Sequence, residues 1–276
     1  MPEMHGVRRP AVAGLFYPGD PDALRRDVDA LLNAAPRRRP GRPIVAVIAP
    51  HAGYMYSGGT AATAYARLRG ASYETVVVIS PSHREFFDGV SVYPGDAYET
   101  PLGPLPVDAD LRDRLVRVCR HVTASVQGHR GEHALEVQLP FLQRVLEPFR
   151  LLPLVIGNQH REICLDLGQR LGELLKGRSA LLVASTDLSH YHTAREASEL
   201  DGAFVRALER GDEKGMMSAL EEGSTEACGG GPVVAVLHAV RAMGSANVEV
   251  VGRSTSGDVT GDHQSVVGYV SAVAYA

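Results

Sequence analysis

Val45-Ala-Val-Ile-Ala-Pro-His51, Val76-Val-Val-Ile-Ser-Pro-Ser-His83 and Leu181-Leu-Val-Ala-Ser-Thr-Asp187-Leu-Ser-His190-Tyr-His192 share one grammar. Each is an apolar, strand-like run that passes into a short polar loop carrying a histidine. Val76–Ile79 and Leu181–Ala184 are apolar at every position, as strands buried on both faces must be. Such strands belong to a parallel sheet, and the carboxyl ends of neighbouring parallel strands open onto one shared crevice. Three histidine loops delivered to one crevice are the raw material of a metal or acid–base site.

Working outward, strands are expected near 44–49, 75–80, 89–93, 150–156, 180–185, 247–252 and 265–275. Helices are expected near 59–69, 108–121, 134–147, 161–176, 193–210, 212–221 and 231–243. A first helix opens at Asp20-Pro21, an acidic cap followed by proline, and runs to about Asn33. This alternation predicts an α/β fold with a mainly parallel or mixed sheet flanked by helices. With no strong linker or repeat, residues 1–276 read as one domain, and 1–43 supply an N-terminal arm and first helix that pack on it. The basic stretch Arg37-Arg-Arg-Pro-Gly-Arg-Pro43 reads as a solvated connector or an anion-binding patch.

The bulk composition narrows the function. A chain of 276 residues with 45% hydrophobic and 22% charged residues can bury a core without staples. Its net charge of −4 offers no field for nucleic acid. No stretch approaches the ~20 apolar residues that span a bilayer, so no membrane role is expected. Met1-Pro-Glu-Met-His lacks the pattern of a signal peptide, and three widely spaced cysteines suit a reducing compartment. A cytoplasmic location is the expectation.

Several segments carry chemistry. In Ala49-Pro-His51-Ala-Gly-Tyr54-Met-Tyr56-Ser57-Gly58-Gly59, proline stops the strand, and Ser57 or Thr60 is placed to cap the next helix. His51 and His83 each read either as a ligand supplying neutral imidazole nitrogen or as a loop histidine bonded in its own turn. Asp187 is suited to bind metal or orient an imidazole, and His190 to act as a general base, while His192 also reads as exposed. In Glu132-His133-Ala-Leu-Glu136 the histidine and second glutamate stand three apart at an expected helix start. They share a face, which suits support around a metal, an acid–base pair or simple acidic capping. The spacing is not HExxH. Cys228, ahead of a glycine run at a helix N-terminus, is expected to have a lowered pKa and to serve as metal ligand or nucleophile. Cys119 and Cys164 sit in apolar helical contexts and read as filler. No nucleotide-binding glycine loop is present.

Six stretches occur in order: Arg9-Pro-Ala-Val-Ala-Gly-Leu-Phe-Tyr-Pro18, Ala49-Pro-His-Ala-Gly-Tyr54 with Tyr56-Ser-Gly58, Ser80-Pro-Ser-His83, Glu132-His-Ala-Leu-Glu136, Thr186-Asp-Leu-Ser-His190 and Ala227-Cys-Gly229. With these the chain resembles the Memo family, known in prokaryotes as AmmeMemoRadiSam system protein B, from about residue 7 to its end. That family is in turn similar to LigB-type class III extradiol dioxygenases, non-haem iron enzymes of α/β fold. The resemblance implies metal positions at His51, His83 and Cys228, with Asp187 and His190 beside them. Cys228 takes the place of the dioxygenase carboxylate, so the implied ion is iron or copper, with zinc as a further option. It also implies AMMECR1-like and radical-SAM proteins as partners.

Three functional readings follow. The first is a metal-dependent oxidoreductase of dioxygenase type acting on a small substrate. His190 would move protons and Asp187 orient it, with Tyr54 and Tyr56 lining the pocket. Glu132, His133, Glu136 and His192 would lie around them as support or pocket wall. The second is a non-enzymatic scaffold that keeps the cleft for a metal, small-molecule or peptide ligand. The third is a hydrolase with Cys228 as nucleophile and His190 as base.

Overall fold

The two apolar runs form the strands Thr75–Pro81 and Ala180–Ser185, in which every residue is buried. In a computed structural model describing residues 6–36, 41–245 and 247–276, they lie side by side at the centre of a mixed sheet. Ile44–Ala49 pairs parallel with Ala180–Ser185, which pairs parallel with Thr75–Pro81, which pairs parallel with Arg150–Ile156. Val266–Tyr275 extends the sheet antiparallel beyond Ile44–Ala49, and Asn247–Thr255 pairs antiparallel with it in turn. On the other edge Val90–Val92 runs antiparallel to Arg150–Ile156 and carries Val122–Ala124 beside it. The α/β sheet flanked by helices is therefore present, mixed rather than wholly parallel.

Alternation along the strands divides the core into two halves. Ala46, Ile48, Val77, Ile79, Leu152, Leu154, Leu182 and Ala184 face the helices Arg161–Leu175, Ala194–Glu209 and Gly230–Ala242. Val47, Ala49, Val76, Val78, Leu151, Leu181 and Val183 face Pro21–Ala34, Tyr54–Tyr65 and Leu139–Val145. The first helix begins as expected, with Asp20 accepting from Ala23 N at 2.8 Å and proline in its first turn. The basic stretch 37–43, expected as a solvated connector or an anion-binding patch, falls partly outside the described residues, which omit 37–40. Among the described residues, no helix is long and apolar enough to cross a membrane.

Three expectations change. The helix placed near 59–69 begins at Tyr54, with Gly53 as its cap and no side-chain cap. Ser57 lies inside it and donates to Ala52 O at 3.0 Å. Gly58 inside this helix allows close packing, because a Cβ on it would lie 2.9 Å from Leu31 Cδ1 of the first helix. The helix expected from 134 begins at Leu139, preceded by the 3-10 turn Glu136–Gln138. The N-terminal arm is also more than an extended tail. Its Val7–Arg8 pairs parallel with Ala97–Thr100, which pairs with Gly103–Pro106 in a small separate sheet.

The arm is fastened by a buried ion pair. The Arg8 guanidinium meets the Glu136 carboxylate and donates to His129 O (2.9 Å) and Glu132 O (2.6 Å). Glu136 also accepts from Ala11 N at 2.8 Å, Val12 N at 3.1 Å and the Tyr17 hydroxyl. With so many partners the pair is fully satisfied, and removing either side would leave an uncompensated charge costing about 3–5 kcal/mol. His129, fully buried beneath Arg8, donates from Nε2 to Ser91 O (3.2 Å) and accepts at Nδ1 from the Tyr98 hydroxyl. It is thus locked neutral.

Burial, joined by the Arg8 charge, pulls the His129 pKa down to about 3 against the opposing Ser91 carbonyl. The unfolded chain, with its histidine near 6.5, binds the extra proton between these values, so stability falls as pH drops through that window. His129→Gln, which retains a donor and an acceptor, is expected to flatten the dependence by about 1.4 kcal/mol per pH unit between pH 6 and 4. Denaturant unfolding at a series of pH values checks this, and an unchanged slope would refute it.

Candidate metal centre

Because Ala180–Ser185 lies between Ile44–Ala49 and Thr75–Pro81, the loops after all three strands meet at one end of the sheet. His51 follows the first strand after Pro50, His83 follows the third, and Thr186-Asp187 follows the middle one. Cys228 arrives from outside this pattern, just ahead of the helix Gly230–Ala242. Its loop is seated on the middle strand. Gly229 N donates to Thr186 Oγ1 (3.0 Å), Gln159 Nε2 donates to Cys228 O (2.7 Å), and Cys228 N donates to Asp187 O (3.3 Å). A Cβ on Gly229 would lie 2.0 Å from Ser185 O, so only glycine lets the loop come this close.

One potential ligand atom from each of His51, His83 and Cys228 lies within 4.8 Å of the others, and Cys228 Sγ is 3.1 Å from His51 Nε2. Hydrogen bonds at the far side of each ring select the tautomer. Ser185 Oγ spends its one proton on Ala134 O (2.7 Å) and accepts from Gln138 Nε2 (2.8 Å). Its remaining contact, His51 Nδ1 at 2.9 Å, must therefore be an N–H donor, which leaves Nε2 with its lone pair. The Gln138 amide is fixed in turn by Pro50 O and the Tyr65 hydroxyl. His83 Nδ1 donates to Glu132 Oε1 at 3.0 Å, again freeing Nε2. Two neutral imidazole nitrogens and one sulfur fit a soft or borderline transition metal ion.

Burial favours the neutral form of His51 and His133. Burial, then the neighbouring His83, pulls His51 well below the usual histidine value. Burial, then His51, lowers His133 to about 4. Glu132 is opposed by its own burial, yet the His83 ring and the N–H groups of His83 and Ala134 outweigh that and bring it to about 2. Cys228 departs from expectation. Burial, reinforced by the Asp187 charge, pushes its thiol up, and the helix N-terminus does not reverse this. Without a cation beside it the sulfur is a thiol, whereas a bound metal ion would remove its proton.

Glu132 forms a second group of possible ligands with His83 and His133. Its buried carboxylate accepts from His83 N at 2.5 Å, His133 N at 2.9 Å and Ala134 N at 2.8 Å, as well as from the His83 ring. It therefore ties the His83 loop to the segment 132–134. His133 packs its ring against Phe16 and His83, both at 4.7 Å between centroids, and precedes the helix instead of starting it. Glu136 turns away from His133 to Arg8 and Tyr17 of the arm. The three-residue spacing did not put the two on one helical face, because the helix starts only at Leu139.

The other named residues separate. His190 donates from Nδ1 to Leu188 O at 2.7 Å, so that carbonyl orients it rather than Asp187. Its Nε2 is left as an acceptor, and with Cys228, Gln159, Leu188 and Glu226 it lines a cavity of about 500 Å³. Asp187 instead accepts from His51 N at 2.7 Å, and its Oδ2 lies 3.9 Å from His51 Nε2. Burial raises its pKa against the bonds from His51 and Ala52. His192 pairs with Glu226 at 2.9 Å and belongs to neither ligand group. Tyr54 is buried among Tyr17 and Phe141 with its hydroxyl on Val137 O, so it supports the fold rather than lining the centre. Tyr56 is partly exposed. Ser185 and Gln138 were not read from the sequence as site residues. A strand-end serine and a helix-start glutamine carry no local mark of holding a histidine.

A family model described as "Memo-like protein" matches residues 8–273. A MEMO1 family protein of Aquifex aeolicus is 39% identical over 268 residues, 97% of this chain and 98% of that protein. One from Methanothermobacter thermautotrophicus is 39% identical over 272 residues, 95% and 98% of the two chains. One from Methanocaldococcus jannaschii is 34% identical over 287 residues, 98% and 99% of the two chains. The crystal structure of an uncharacterized protein from Escherichia coli K12 shares the fold at a TM-score of 0.50, with 16% identity over 83% of this chain and 99% of that one.

Replacing Glu132 by Gln would turn one acceptor oxygen into a donor facing N–H groups that already need acceptors. The His83 ring would lose its orientation. Glu132→Gln is expected to weaken metal binding by about 10- to 100-fold while the fold persists, as competition with a chromophoric chelator would measure. Undiminished affinity would show that Glu132 does not position His83.

Proposed function

The chain belongs to the Memo-like protein family, and from that premise we propose that the cleft holds a single metal ion for redox or oxygenase-type chemistry on a small substrate. The observation that carries this reading is the tautomer arrangement: the Nδ1 protons of His51 and His83 are spent on Ser185 and Glu132, leaving both Nε2 atoms available beside the Cys228 sulfur. The residues that would hold the ion are His51, His83 and Cys228. Iron or copper suits this donor set ahead of zinc, and when bound it would supply Lewis acidity and a redox couple.

The chain's own groups supply the rest. His190 Nε2, freed by the bond from Nδ1 to Leu188 O, is placed to take a proton from a substrate in the adjoining cavity. Leu188, Met217, Leu220 and Ala227 give that cavity apolar wall, which would exclude water from around the substrate. Asp187 holds the first turn of the His51 loop through its backbone N–H.

The purified chain is expected to carry about one metal ion, and His51→Ala and Cys228→Ala to lose most of it, by elemental analysis. His190→Gln should keep the metal but lower oxygen consumption with catechol-type probes by about 10²- to 10⁴-fold. Full metal content in both ligand variants would overturn the ligand set. Retained metal with no oxygen consumption on iron or copper loading would overturn the oxygenase reading and favour a binding role.

A further inference from the structure

We propose that the chain carries a second binding site, at the opposite end of the sheet from the histidines, for the oxyanion group of a small molecule, a carboxylate or a phosphate. A cavity of about 460 Å³ opens there at the starts of Ile44–Ala49 and Ala180–Ser185. Arg67 and Arg178 both line it. Arg67 is only 8% exposed, yet its Nε and Nη1 have no hydrogen-bond partner among the described residues, and neither has the buried Nη1 of Arg178.

A guanidinium is always charged and has only donors. Buried groups of this kind are otherwise met by an acceptor, because an unmet buried charge is strongly unfavourable. Ala276 with its carboxylate, Ser72 and Ser179 also line the cavity, yet none of them hydrogen-bonds these guanidinium atoms, and the Ser179 hydroxyl donates to Ser72 O at 3.3 Å. Arg67 Nη2 lies 3.6 Å from Glu249 Oε1, and that same carboxylate accepts from the Tyr275 hydroxyl at 2.6 Å. The Tyr73 hydroxyl on the cavity wall is spent on Ile44 O. What is missing is an acceptor that can meet forked N–H groups, which is the geometry of a carboxylate or phosphate. Pro43, Ile44, Val45 and Ala71 add apolar wall, so the anion would be carried on a small organic body.

The site stands apart from the metal centre. The six-residue strand Ile44–Ala49 puts roughly 17 Å between its two ends, so occupancy of one does not require the other.

The test is titration of the full-length protein with inorganic phosphate and, separately, with succinate, followed by calorimetry and by thermal unfolding. Chloride at matched ionic strength is the control. At least one probe is expected to bind saturably and raise Tm, and the relative affinities report which oxyanion is preferred. Arg178→Gln, at a half-buried position, and Arg67→Gln are each expected to weaken binding at least about tenfold, with metal content unchanged. His51→Ala should leave the response intact, which separates this site from phosphate held on the metal centre. Should Arg67→Gln fail to fold, Arg178→Gln decides alone. No saturable binding of either probe, as a cavity filled only by water would give, overturns the proposal. So does binding that Arg178→Gln leaves unchanged.

Discussion

The candidate metal centre depends on one buried carboxylate. Glu132 has no solvent to stabilise its charge, and it is held ionised by four donors: two from His83 and the backbone N–H groups of His133 and Ala134. Those donors come from two loops that are far apart in sequence. The same segment presents Glu132 O to Arg8 and Ala134 O to Ser185, and Ser185 in turn orients His51. Removing the Glu132 charge would therefore disturb the His83 ring directly and the Ser185–His51 link through the backbone.

The sheet was legible because its central strands are written in unbroken apolar residues, and Val76–Ile79 and Leu181–Ala184 have few other ways to be buried. The convergence of His51, His83 and Asp187 followed from the same feature, since parallel strands send their carboxyl ends one way. What was hidden is what depends on distant partners. The need for glycine at position 58 shows only once Leu31 of another helix is seen lying against it. Glu136 reads as a companion of His133 until Arg8 claims it. Cys228 reads as an activated thiol at a helix start until its burial beside Asp187 is known. The membership of Cys228 in the ligand group came from motif resemblance, since nothing in its spacing from His51 or His83 implies contact.

Cys228 and Asp187 also divide labour in an unusual way. Both are buried anions when ionised, Asp187 raises the Cys228 thiol further, and the ring that meets the Cys228 sulfur, that of His51, is pulled towards its neutral form by burial. A metal ion held by His51, His83 and Cys228 would let the thiolate form and would add positive charge to the surroundings of Asp187. His51 and His133, kept neutral by burial, add no competing charge. The site thus favours a cation through the whole local balance of charge, beyond its three donor atoms.

The clasp between Arg8 and Glu136 has a consequence for how the molecule comes into being. Its two halves are separated by 128 positions, so a growing chain cannot close it until about half of the 276 residues have been made. Cys228 emerges later still, 177 residues after His51. Contacts of such long separation are slow to find one another and are gained late. An early, half-made chain therefore has its histidines but not the sulfur, and the candidate ligand group is complete only once translation has passed the glycine run.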